Sequence, residues 1–218
     1  MSNSNAQDAF KRQLEQVKAQ AAKFRKVVRS AELTTAPLVS DSVEAMKQCK
    51  QNPESQFWPR TVIRCLCATI EAQLFTFRKM AEQMGCLSGQ NPFTKDEEEI
   101  LAEQRITIVN GVRISKPKWL RFPDSVTETF RLFGKANGAR LTIDYGGTGF
   151  VDLRTTFEIR NRLMHPKQPF DVRVTEQEVE TADRAMTWFT NTTMDILKTS
   201  DKHERDMIAQ NRKRVPPA

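Results

Sequence analysis

Apolar residues recur at three- and four-residue intervals along most of this chain, which is the repeat of amphipathic helices. Phe10, Leu14, Val17, Ala21, Phe24 and Val28 alternate spacings of 4, 3, 4, 3 and 4. That narrow seam predicts a helix over about Ala6 to Ala31, which either crosses a bundle or pairs with a copy of itself. A shorter helix is expected after Pro37, with Val39, Val43 and Met46 inward, and Asn52 to Trp58 reads as a loop. Pro59 suits the first position of a long helix. Its buried face comprises Ile63, Leu66, Ile70, Leu74, Phe77, Ala81 and Met84, with Gly85 as its stop. Glu71 lies beside that face, either as a partner for a basic side chain on the bundle or as a group orienting catalytic residues.

The pattern then changes period. Thr94-Lys95-Asp96-Glu97 fits a capping box opening a short acidic helix. Two β-branched runs flank Asn110-Gly111, which predicts a hairpin. Ser125-Val126-Thr127-Glu128 reads as a second capping box, for a helix that buries Val126, Phe130 and Phe133 and ends at Asn137-Gly138. Tyr145-Gly146-Gly147-Thr148-Gly149 lacks the layout of a phosphate-binding loop and reads as a turn, with an anion site at the following helix start as the alternative. Thr175 caps a last long helix whose inward face is Val179, Ala182, Met186, Phe189, Thr193 and Ile196. A mainly α fold follows: a helical bundle with a small β-hairpin insertion. Residues 1–52 form an N-terminal helical arm that packs on the bundle or a dimer. Residues 53–200 form the helical domain, interrupted at about 104–149, and residues 201–218 form a basic tail expected to fray and then to be disordered.

Between the turn and the last helix lies the segment richest in chemistry. Phe150, Leu153, Phe157, Arg160 and Met164 are spaced by 3, 4, 3 and 4, a single helical stripe in which Arg160 stands where an apolar side chain belongs. A guanidinium aimed at a core face needs a partner or a cleft. Asn161 follows it, and Pro166 disfavours helical geometry at His165, so the imidazole sits at the helix end beside solvent. Histidine is the side chain whose ordinary pKa allows proton transfer near neutrality. An arginine fork suits phosphate oxygens, whereas Asn161 can hydrogen-bond a phosphate or orient the ring but cannot act as a base. Together the three suit a phosphodiester.

The run Arg160-Asn161-x-x-x-His165, closing an amphipathic helix ahead of a proline and another long helix, resembles the signature of the HEPN superfamily. An earlier long helix carrying Ile70-Glu71-Ala72 adds to the resemblance, which covers roughly Pro59 to Lys198. It implies an all-α bundle and, in many members, a metal-independent ribonuclease that works as a homodimer; others bind nucleotides or act as scaffolds. Carried over to this chain, Arg160, Asn161 and His165 become the catalytic set, with Glu71 behind them and Arg162, Lys167 and Arg173 as phosphate contacts. One histidine per protomer is too few for two proton transfers, and a twofold axis at the motif helix supplies the second. Neither a cofactor nor a metal is expected. The expected partners are RNA or a nucleotide, a second copy of the chain, and a partner or antitoxin protein. Family toxins paired with a nucleotidyltransferase antitoxin commonly carry a tyrosine two residues after the histidine. Lys167 holds that place here, so a different defence or regulatory setting is expected. The alternative is a catalytically inactive HEPN-like module that binds a nucleotide or a partner.

Composition changes this picture little. Of 218 residues 39% are hydrophobic, and 34 Lys and Arg against 27 Asp and Glu give a net charge of +7. That excess favours polyanions or serves only solubility. The start is polar, without a signal-peptide pattern, and no apolar run approaches the ~20 residues of a membrane span, so a cytoplasmic location is expected. Cys49, Cys65, Cys67 and Cys86 form no Cys-x-x-Cys pair and read as free thiols rather than zinc ligands.

Overall fold

A computed structural model describes the backbone of residues 2–87, 91–110 and 112–214, and side chains chiefly over 21–85, 91–110 and 112–206. The chain order is α1 (Ser2–Gln51), α2 (Phe57–Leu87), α3 (Lys95–Ala102), β1 (Gln104–Val109), β2 (Val112–Pro117), α4 (Phe122–Asn137), α5 (Thr148–Met164), a 3-10 turn (Pro169–Val172) and α6 (Glu176–Arg214). The fold is mainly α with one small antiparallel hairpin, as the periodicity predicts.

Helix α2 is the organising element, packed on α1, α4, α5 and α6. Its face of Ile63, Leu66, Ile70, Leu74, Phe77 and Ala81 is buried as expected. Phe77 meets Phe133 and Phe130 of α4 edge-on at 4.8 and 5.8 Å, and Phe130 in turn meets Phe189 of α6. Each such fully buried ring contributes about 1.5–3 kcal/mol of transfer free energy. Of the insertion, therefore, only the hairpin stands clear of the bundle, because α4 lies in the core.

The N-terminal region departs from the sequence reading. Instead of two helices separated near Pro37, α1 is continuous, with Pro37 inside it and exposed. Proline deprives the Leu33 carbonyl of its donor, but the break does not spread because the following turns are fastened to α2. Ser42 Oγ lies 2.9 Å from Thr69 Oγ1 in a buried hydroxyl pair, and Thr69 also donates to the Leu38 carbonyl at 3.0 Å. Small Ser42 and Ala45 therefore face α2, while Val39 and Val43 face solvent, contrary to the hydrophobic reading. In the upstream seam Ala21, Phe24 and Val28 are half-buried; the Phe10, Leu14 and Val17 side chains lie outside the described residues.

Three helix boundaries also differ. Gly85 is not the stop of α2, which runs on to Leu87; a Cβ there would collide with the Phe93 ring, so the glycine permits a close approach. At α4 the start is Phe122, with Arg121 as a cap whose side chain makes no capping bond and Pro123 in the first turn. Ser125, read as a cap, instead accepts a hydrogen bond from buried Arg78. Past Thr199, α6 continues to Arg214, into the segment read as a basic tail; residues 215–218 lie outside the described residues. The capping box at Thr94, the left-handed Gly138 ending α4 and the Thr175–Glu178 cap of α6 match the reading. So does the hairpin, where Asn110 adopts φ 51°; Gly111 lies outside the described residues.

Candidate functional site

Helix α5 presents the Arg160–His165 segment at its C-terminal end. Phe150, Leu153, Thr156, Phe157, Ile159 and Leu163 are buried, so the stripe closes on Leu163 and leaves Met164 half exposed. That rotation places Arg160 at the rim of the bundle. Its Nη2 meets both carboxylate oxygens of Glu71 at 3.2 and 3.3 Å, and its Nη1 donates to Asn161 Oδ1 at 3.1 Å. The side chains keep 32% and 46% of their surface, so this is a solvent-accessible pair and not the buried ion pair that a core position would give. One turn back on each helix, the Cys67 thiol lies against the Thr156 carbonyl. Burial, with the nearby Glu71 charge, pushes that thiol up to about 12 against the opposing effect of Arg160, which keeps it protonated.

His165 terminates α5 with a non-helical backbone (φ −132°, ψ 59°) while its N–H still bonds the Asn161 carbonyl at 3.0 Å, and the residue is exposed. The loop beyond it is fastened on every side. Asp171 Oδ2 accepts from the backbone N–H groups of Lys167 and Gln168 at 2.7 and 2.9 Å. Gln56, just ahead of α2, pairs with the backbone of Val174 in both directions, and Arg60 donates to the Val172 carbonyl.

The three basic residues expected to contact phosphate separate here. Arg162 is engaged within the fold, donating to Glu178 and to the Arg173 carbonyl at 2.8 Å. Burial alone would raise Glu178, but bonds from Arg162 and Thr175 outweigh it and hold the carboxyl below its ordinary range. Lys167 and Arg173 are exposed and form no described ion pair. Met164, Phe170 and Val172, all well exposed, give the same end of the molecule an apolar surface.

Sequence reasoning missed a second feature that adjoins the first. A cavity of about 340 Å³ opens beside Glu71, walled by Phe75, Arg78, Lys118, Trp119 and Phe122. Arg78 is 6% exposed and donates to Ser125, Thr129 and Glu103, the last at 2.6 Å. Burial pulls it below its ordinary pKa and Glu103 opposes the change. The available signal was a charge on the buried face of α2, one position past Phe77. Among the described residues, no group of three His, Cys, Asp or Glu side chains is placed to hold a metal ion, and no helix is long and apolar enough to cross a membrane.

Fold and site define a mainly α protein with a projecting β-hairpin and an Arg–Asn–His set at one helix end. Compared with family models, curated proteins and solved structures, the chain finds no match in any of the three.

Proposed function

We propose that this chain is a metal-independent RNA endonuclease of the HEPN type, working as a homodimer in stress response or phage defence. Arg160, Asn161 and His165 of both protomers then line one cleft. The observation that carries this reading is the exposed His165 at the end of α5, a turn or so beyond a guanidinium that Glu71 and Asn161 hold in place yet leave open to solvent. In that cleft one imidazole takes the 2′-hydroxyl proton and the freed oxygen attacks phosphorus. The unused donors of Arg160 steady the phosphorane, and the partner imidazole protonates the departing 5′-oxygen. A 2′,3′-cyclic phosphate and a 5′-hydroxyl result. The exposed Met164, Phe170 and Val172 offer the apolar contact a twofold requires.

The Glu71–Arg160 pair favours a second reading, a catalytically inactive HEPN-like module that binds a nucleotide or a partner, since a carboxylate already neutralises the arginine. Incubating RNA with the purified protein in EDTA separates the two. The nuclease reading expects cyclic-phosphate products, their loss in His165→Ala, and sedimentation at about twice 25.0 kDa. Intact RNA with the unaltered protein refutes it.

A further inference from the structure

The β1–β2 hairpin leaves the bundle almost unsupported, touching mainly α3 at its root. Ile106, Ile108, Val109, Val112 and Ile114 are all exposed on it, and Trp119 just beyond is 78% exposed. Its charge is one-sided. From Gln104 to Arg121 the sequence holds Arg105, Arg113, Lys116, Lys118 and Arg121 and no acidic residue. Lys118 is committed to Asp96 and Glu99 of α3, fixing the root, and Arg121 pairs with Asp124. Arg105, Arg113 and Lys116 are exposed and make no described ion pair or side-chain hydrogen bond.

Register sharpens the point. Arg105 lies directly opposite Lys116 across the ladder, on the face shared with Thr107, Ile114, Val109 and Val112. Like charges placed opposite each other destabilise a strand pair. Blunting a free sheet edge favours charge, lysine above all, but nothing in it calls for two cations set opposite each other, so edge protection does not account for this pair. A bound polyanion does, because it turns the repulsion into shared attraction. Two-stranded ribbons with basic side chains are a known way of gripping nucleic acid. Exposed rings then add sequence-tolerant stacking on single strands.

The arm also has a direction. Trp119 lines the same cavity as Phe75, half exposed, and Glu71, whose carboxylate holds Arg160. We propose that the hairpin and Trp119 form an arm that grips single-stranded RNA by its phosphates and leads it past Phe75 and Trp119 to Arg160 and His165. This rests on the nuclease reading for the destination of the strand and on the charge and register for the grip itself.

The test measures anisotropy of a fluorescein-labelled single-stranded RNA of mixed sequence against salt, using the full chain carrying His165→Ala so that the probe stays intact. Adding Arg105→Ala, Arg113→Ala and Lys116→Ala should reduce the slope of log affinity against log salt by about 2, at roughly 0.7 per lost phosphate contact. Trp119→Ala should weaken binding roughly five-fold or more at constant slope. The Trp119 variant should melt with the parent, its ring being exposed, and the triple variant no lower, since it loses a like-charge pair. An unchanged slope in the triple variant overturns the arm. So does a triple variant whose sedimentation changes while its RNA affinity does not, which makes the hairpin a contact between copies. If binding depends on the hairpin but the unaltered protein leaves RNA intact, the arm stands and the nuclease reading fails.

Discussion

Replacing Glu97 by Gln should cost this fold about 2 kcal/mol at neutral pH and almost nothing in acid. Glu97 opens α3, is 7% exposed, and accepts hydrogen bonds from Lys135 at 2.6 Å, Arg131 at 2.8 Å and the Thr94 N–H at 2.8 Å. Burial alone would raise its pKa; the bonds from Lys135, Thr94 and Arg131 overcome that and bring it from 4.5 to about 2. At about 1.4 kcal/mol per unit the difference is worth on the order of 3 kcal/mol. Solvent screening at half-exposed Arg131 and Lys135 reduces this to about 2 kcal/mol. Because the carboxyl is held low, its stabilisation is complete above pH 4.5 and is lost as pH falls from there towards 2. Glutamine keeps the shape and never ionises. Urea unfolding of both proteins should therefore show a gap at pH 7, equivalent to roughly 4–8 °C in Tm for a chain of this length, that closes through that acid window. A gap constant from pH 7 to pH 2.5, or none at pH 7, refutes the assignment.

Other expectations follow from geometry. Arg160→Ala should lower stability by under about 1 kcal/mol in thermal melts, since the Glu71 pair is solvent-accessible; a loss of ~3 kcal/mol or more would mean the pair is buried in solution, by a partner copy or otherwise. Pro37→Ala should raise stability by about 1–3 kcal/mol, measured by urea unfolding, because it restores a donor inside α1 at an exposed position. Gly149→Ala should destabilise by about 1–3 kcal/mol, because the new methyl collides with the Trp188 ring where α5 meets α6; tryptophan fluorescence reports the accompanying shift.

The long helices were legible because burial follows a period that the residues carry locally. Stripes on α2, α4 and α6 were found almost residue for residue. Failures cluster where a distant partner decides. Nothing near Pro37 announces that α1 continues; its cohesion comes from Ser42 meeting Thr69, 27 residues away. The same contact rotated the helix, since a small residue allowing close approach looks polar to any hydrophobicity count. Arg78 finds Glu103, Ser125 and Thr129 at separations of 25, 47 and 51 residues, so its burial had no local trace beyond its place on an apolar face. For the site, sequence placed Arg160, Asn161 and His165 at one helix end and named Glu71 as a partner for the arginine. It overstated burial there, because Leu163 and not Met164 closes the stripe. Arg162, read as a phosphate contact, bonds Glu178 and the Arg173 carbonyl within the fold, partners that lie 16 and 11 residues away.

The reciprocal bonds between the Gln56 amide and the backbone of Val174 have a consequence for where this chain tolerates being lengthened. A side-chain amide there stands in for a neighbouring strand, so the register of residues 166–175 is fixed to a single spacing. One residue added between Pro166 and Thr175 would have to break that pairing or the Asp171 turn. The hairpin obeys opposite rules. Its ladder ends at Val109 and Val112, no described residue beyond them is buried, and extra loop length adds only slowly to the entropy of closure. Epitopes or fluorophores belong at that tip, and drift in length among related chains should gather there too.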